Sequence, residues 1–242
     1  MQLQDLLFSE GFGTRRVCAG LIQQGHVTVG GETCTDPLAD VEAEGLALTV
    51  QGTAWTCHDK AYVMLHKPAG TECSQKPSAW PSIYTLLPAP LRQRPNKGAV
   101  NGVQAVGRLD QDTTGLLLLT DDGQFIHRMS SPRHHVPKVY EVGTRHPVDA
   151  RQLARLLEGV TLEDDPKPVR AAACEQTGER QLRLTLTEGK YHQVKRMVAA
   201  AGNRVETLHR SRIGTLALPP DLAPGQWRWM TPQEVLAARS PG

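Results

Sequence analysis

Three groups of residues could do chemistry. The first lies in Gly107 to Gly123, GRLDQDTTGLLLLTDDG, where Arg108 and Asp110 stand two apart on a polar loop. Leu116 to Leu119 follow, bounded by glycine turns, which predicts a short buried strand. A loop braced by such a strand is a platform for a positioned carboxylate. The second group is Lys138-Val139-Tyr140, where alternation with Glu141 and Val142 predicts a strand starting near Lys138. A phenol there offers a flat face and a polar tip. The third is Gly189 to Met197, GKYHQVKRM, inside a basic stretch. Residues 180–212 hold Arg180, Arg183, Lys190, Lys195, Arg196, Arg204, Arg210 and Arg212 against Glu188 and Glu206. With Tyr191, His192 and His209 interleaved, that excess fits phosphate contact better than a merely solvated face.

Other elements must position these groups. Tyr62 to Leu65 reads as a strand running into His66-Lys67-Pro68-Ala69-Gly70, a turn set by proline and glycine. Lys67 could reach the carboxylate, reach RNA, or simply be solvated. Leu182 to Leu186 alternates as a half-buried strand. A helix from about Tyr191 to Ala201 carries Val194, Met197, Val198 and Ala201 as its buried stripe. Another covers Val148 to Leu157, opened near Asp149 and stopped at Gly159. Residues 88–104, PAPLRQRPNKGAVNGVQ, lack apolar periodicity and predict a mobile, solvated loop. Its cations Arg92, Arg94 and Lys97 would be available to an RNA backbone.

The 242 residues suffice for one large domain or two smaller ones. Residues 3–24 carry two clusters of apolar residues at helical spacing, with Thr14 placed as an N-cap and Gly25 as a C-terminal glycine. His26 to Val29 and Leu46 to Val50 read as strands, with a tight turn at Gly30-Gly31. Gly52 to Lys60 is polar and reads as a linker. Residues 1–52 hold only Arg15 and Arg16 against seven carboxylates, so with a chain total of +2 the basic charge lies in the larger part. The five cysteines form no Cys-x-x-Cys pair, which speaks against a disulfide framework or a zinc site and for a reducing cytosol. His134-His135 suggests metal, but no third ligand is suitably spaced and adjacent side chains on extended backbone diverge. With no leader and no apolar run of spanning length, a soluble cytoplasmic protein without membrane contact is expected.

The string GRLDxxTxGLLLLTxDG resembles the signature of the RNA pseudouridine synthases, in the branch that modifies ribosomal RNA. Asp110-Gln111-Asp112-Thr113-Thr114 also fits the DxDxT pattern of haloacid-dehalogenase-like phosphatases, but the preceding Ala105 to Leu109 lacks the continuous hydrophobic strand which that pattern requires. The resemblance to the synthases makes Asp110 the catalytic nucleophile or base. It makes Arg108 the residue that pairs with Asp110 and helps hold a flipped nucleotide, and Tyr140 the stacking platform for the target base. It makes Lys195 the ion-pair partner of Asp110. The implied fold is α+β: a mixed, largely antiparallel sheet with flanking helices over residues 61–242, after a 53–60 linker. Residues 1–52 resemble an S4 RNA-binding domain. The implied RNA-binding residues are Arg15, Arg16, Arg133, Lys138, Lys190, Arg196, Arg204, Arg210 and Arg212. Ser131-Pro132-Arg133-His134-His135 is close to the corresponding run of the small-subunit (16S) enzymes. The expected partner is therefore ribosomal RNA in a partly assembled small subunit, bound by a monomer. A large-subunit target and a non-catalytic assembly factor are the alternatives. Because uridine and pseudouridine are isomers, no cofactor or metal is expected.

Overall fold

The computed structural model describes residues 1–96, 98 and 100–241. In chain order the elements begin with α1 (Leu3–Glu10), α2 (Arg15–Gln23), β1 (Val27–Val29), β2 (Glu32–Thr33), β3 (Ala47–Val50), β4 (Thr53–Thr56), β5 (Tyr62–Lys67), α3 (Ala89–Gln93), β6 (Gln104–Ala105) and β7 (Thr114–Thr120). They continue with α4 (Gly123–Ser130), β8 (Lys138–Thr144), α5 (Ala150–Glu158), β9 (Val160–Leu162), β10 (Asp165–Val169), β11 (Ala173–Gly178), β12 (Gln181–Leu186), α6 (Gln193–Ala200), β13 (Val205–Ile213), β14 (Leu216–Ala217), β15 (Trp227–Trp229) and α7 (Pro232–Arg239). They fall into two units. The first comprises residues 1–62, 87–105 and 119–123; the second holds 63–86, 106–118 and 124–242.

In the first unit, Thr14 caps α2 by accepting from the Val17 amide, as its position in the sequence predicts. β1 and β2 meet through Gly30 and Gly31, both at positive φ, in a small sheet of order β2–β1–β3–β4. The expected linker is corrected here: Thr53–Thr56 is β4 and pairs antiparallel with β3, with Trp55 buried. A polar strand with one buried aromatic carries little apolar signal, so it reads as loop. The stretch after residue 88 is corrected too. Ala89–Gln93 forms α3, Leu91 is buried, and Arg94 is only 2% exposed. Arg94 donates from Nη1 to Glu10 and from Nε to Asp121, both at 2.9 Å. Its Nη2 donates to the carbonyls of His58 and Asp59. Glu10 also accepts from Trp55 Nε1 and the His58 amide. Arg94 is thus a buried bracket, not an RNA-facing cation. Arg92 is exposed, and Lys97 lies outside the described residues.

The second unit is built on a mixed sheet of order β11–β12–β8–β13–β7–β5–β15. β11–β12, β12–β8, β8–β13 and β5–β15 are antiparallel, and β13–β7 is parallel. Leu116, Leu117 and Leu118 of β7 are fully or almost fully buried, as four leucines between glycines predict. α6 packs Val194, Met197 and Val198 into a core shared with Leu182, Leu184, Leu186 and Leu156. α5 is capped by the Asp149 side chain and ends at Gly159. β7 and β13 approach so closely that a Cβ on Gly115 would lie 2.2 Å from the Arg210 carbonyl oxygen. That approach sets Gly115 directly against Arg210, and it places the 108–113 loop at the end of the sheet.

Candidate active site

Asp110 leads into β7 through a tight turn in which the Thr113 amide donates to the Asp110 carbonyl at 3.0 Å. The turn is held from beneath by Lys67. That ammonium is fully buried and donates to the carbonyls of Thr113 (2.8 Å), Pro68 (3.1 Å) and Gln111 (3.3 Å). The amide of Gly70, at φ +78, also donates to the Gln111 carbonyl at 2.8 Å. Of the three possibilities open to Lys67 in the sequence, none is the outcome: it clamps the loop backbone. Burial lowers its pKa, and the nearby carboxylates of Asp112 and Asp110 work against that shift.

The Asp110 carboxylate is divided between two partners. Oδ2 lies 3.1 Å from Lys195 Nζ, and Oδ1 lies 3.3 Å from His192 Nε2. Lys195 also reaches Asp112 at 2.7 Å. Burial opposes the Lys195 charge, but hydrogen bonds to Asp112 and Asp110 outweigh it and hold the ammonium above its usual pKa. The Asp112 carboxyl is likewise held low, with burial working against the Lys195 bond. Lys195 is thus brought to Asp110 as the resemblance implies. Arg108 is not: it lines the same cleft but is exposed and makes no ion pair with Asp110 among the described residues. Neighbours two apart on an irregular loop need not face each other, and here the cation comes from α6 instead.

Sequence reading did not assign His192 to Asp110 or Asp112 to Lys195. His192 sits three residues before Lys195 at the start of α6, with its backbone at φ +47, a conformation uncommon for a side chain other than Gly or Asn. Its position three residues from Lys195 was the available signal, since that spacing puts both on one side of a helix start.

Tyr140 is half-buried on β8 and borders the same cleft, whose volume is about 920 Å³. Asp110, Tyr140, His192 and Lys195 also line a smaller recess of about 100 Å³. The cleft is large enough for a nucleotide, and it joins an acid, a phenol and a lysine. That combination can present an ionised carboxylate to a sugar carbon or its proton beside a flat face for a base.

The expected RNA contacts separate into classes. Arg16, Arg133 and Arg212 are exposed and form no ion pair among the described residues. Arg15 is exposed but bonds Asp5 at 3.0 Å and lies over the Phe8 ring. Lys190 pairs with Asp165, Arg196 with Asp164, and Arg204 with Glu206 at 3.8 Å. Lys138 is half-buried, and Arg210 is 3% exposed. Spacing alone cannot reveal that the β9–β10 turn brings Asp164 to Arg196 of α6 and Asp165 to Lys190 just before it. The adjacent His134 and His135 are both exposed. No described helix is long and apolar enough to cross a membrane.

Comparison with known proteins places this arrangement. Residues 61–200 match the family model for RNA pseudouridylate synthase, and residues 1–44 match the S4 domain. The chain is 40% identical over 238 residues to the ribosomal small subunit pseudouridine synthase A of Escherichia coli strain K12, covering 96% of this chain and 97% of that one. It is 38% identical to the protein of the same name from Vibrio cholerae, over 97% of this chain and 98% of that one. A solved structure titled as a pseudouridylate synthase superposes with a TM-score of 0.68 at 34% identity, covering 98% of this chain and 99% of that one. The chain belongs to the RNA pseudouridylate synthase family.

Proposed function

We propose that this protein isomerises one uridine of small-subunit ribosomal RNA to pseudouridine, with Asp110 as the reacting carboxylate. The N1–C1′ bond breaks, the uracil rotates, C5 bonds to C1′, and the proton that C5 then loses is balanced by one gained at N1. Atoms and electrons balance without a redox partner or water. The carboxylate acts at C1′ or on the C2′ proton. Lys195 keeps it oriented, and Tyr140 offers its ring to the extruded base. Flipping costs a few kcal/mol, which stacking partly offsets. Arg108, exposed on the cleft lining, helps hold the displaced nucleotide rather than Asp110.

The observation that carries the reading is the Asp110–Lys195 contact beside Tyr140 in one cleft. The small-subunit target follows from relatives of nearly equal length whose names specify it. The substrate is a partly assembled small subunit, bound by a monomer in the cytoplasm. The first unit carries the S4-like RNA-selecting domain, and the second is the catalytic one. Arg16, Arg133 and Arg212 lead the phosphate contacts.

Two measurements test this. Pseudouridine mapping in a deletion strain should show one site lost from small-subunit rRNA; a loss confined to large-subunit rRNA or tRNA refutes the target. Asp110→Asn should bind RNA normally and form no pseudouridine in a single turnover. A comparable rate in the variant removes Asp110 from the chemistry.

A further inference from the structure

The cleft holds two cations that the isomerisation does not use. Arg210 of β13 is in register with Tyr140 of β8, and directly opposed residues project to the same face. Lys138 stands two residues from Tyr140 on the same strand, so it shares that face as well. All three border the cleft. Arg210 is fixed by a hydrogen bond from Nε to the Leu116 carbonyl at 2.9 Å, while its buried Nη2 has no partner. The Lys138 ammonium has no hydrogen-bond or ion-pair partner among the described residues. Elsewhere in this unit the cations Arg183, Lys190, Lys195 and Arg196 each have a carboxylate. One half-buried and one buried positive charge without a counter-ion among the described residues, the buried one with an orphaned donor, make a site that an anion would complete.

We propose that Lys138 and Arg210 together bind a single phosphodiester of the RNA, one adjoining the nucleotide whose base stacks on Tyr140. This rests on the isomerase reading above and deepens it. A phosphodiester matches the site because its two free oxygens can accept from both cations at once. The aromatic ring of Tyr140 on the same face supplies the place for the attached base. Burial and the like charge of Arg210 lower the pKa of Lys138. A bound phosphate would reverse that and hold the lysine charged. The contact would position the sugar between Tyr140 and Asp110, which a phosphate contact on the outer surface would not do.

The test uses the full-length protein and an RNA fragment spanning the uridine that mapping in the deletion strain identifies, whichever RNA contains it. Single methylphosphonates, which remove one phosphate charge each, replace the linkages on either side of that uridine. Affinity is the readout, so the contact is scored apart from catalysis, and conversion of the unsubstituted RNA is scored separately. For the wild type, one of the two substitutions should weaken binding at least tenfold. Lys138→Gln, whose ammonium bonds nothing among the described residues, should bind unsubstituted RNA about tenfold more weakly and lose less than twofold further on that substitution. Its salt slope should fall by about one. Arg210→Lys, with its thermal unfolding compared to wild type, should show the same loss of sensitivity in part. Indifference of the wild type to both substitutions overturns the proposal, as does full sensitivity in Lys138→Gln. If inorganic phosphate at about 10 mM protects Lys138 from acylation while RNA does not, the pocket takes the free ion and the assignment to RNA is wrong. Failure to convert the unsubstituted RNA would refute the isomerase reading while leaving the affinities to judge the phosphate contact.

Discussion

Replacing Arg94 by methionine removes the guanidinium and keeps most of the side-chain volume. Arg94 and Glu10 side chains are each 2% exposed, and Asp121 is 9% exposed. The change would leave Glu10 with only Trp55 Nε1 and the His58 amide, Asp121 Oδ1 with the Ala61 amide, and two carbonyls without their donor. Removing one member of a buried pair costs about 3–5 kcal/mol. With two carboxylates and two carbonyls affected, a loss near 5 kcal/mol is expected. Burial already holds the Glu10 pKa above its usual 4.5, against the pull of Arg94. Without that pull the folded-state pKa rises further. A carboxyl whose folded pKa is raised contributes stability below 4.5, and loses it as pH rises through the folded value. The deficit of Arg94→Met should therefore be smallest near pH 4.5 and grow toward pH 8, and a second change, Glu10→Gln, should recover part of it. Hydrogen exchange of the α1 amides, read against those of β8 in the other unit, measures the loss locally. A deficit below 1 kcal/mol, or one equal at both pH values, would refute the reasoning.

Tyr140→Phe keeps the ring on the β8 face and loses only the hydroxyl; RNA affinity should stay within twofold of wild type while single-turnover conversion slows, which quench-flow can measure. Arg15→Gln combined with Arg16→Gln should lower the salt slope of RNA binding by at most about two, and by nearer one because Arg15 already bonds Asp5. Gly115→Ala places a Cβ 2.2 Å from the Arg210 carbonyl at φ +114, so chemical denaturation should show a loss of about 3 kcal/mol or more.

Much of the catalytic unit was legible because its signals are local. Leu116 to Leu119, the α6 stripe and the alternation of β8 and β12 each follow from a period along the chain. Lys195 came from the resemblance, and the geometry agrees with it. What stayed hidden depends on partners far away in sequence. Arg94 reads as a loop cation until Glu10 and Asp121 stand beside it, and Lys67 as a turn residue until three carbonyls converge on it. The pairing of Asp110 with Lys195 and His192, rather than with Arg108, is set by where α6 begins. β4, β9 and β10 are short, polar or proline-bearing, so their patterns do not rise above those of loops. The dispersion of the first unit along the chain also bears on experiment. Deleting residues 1–58 would strip Arg94 of Glu10 and of the His58 carbonyl, so point changes at Arg15 and Arg16 are the sounder probe of this unit's share in RNA binding.

The strand order has a consequence for biosynthesis. β5 pairs with β15, Leu65 opposite Trp227 and Val63 opposite Trp229, and β7 takes β13 as its parallel neighbour. About 160 residues must be translated between Leu65 and Trp227, which takes roughly 8–30 s at ordinary elongation rates. During that interval the apolar Val63-Met64-Leu65 has emerged without this edge partner, and Asp110 without Lys195. The nascent chain therefore carries a hydrophobic strand with one edge open through most of its synthesis, a species prone to aggregation and suited to chaperone capture. Non-local pairing of this kind also slows folding, so the isomerase cleft closes late, after most of the chain has been made.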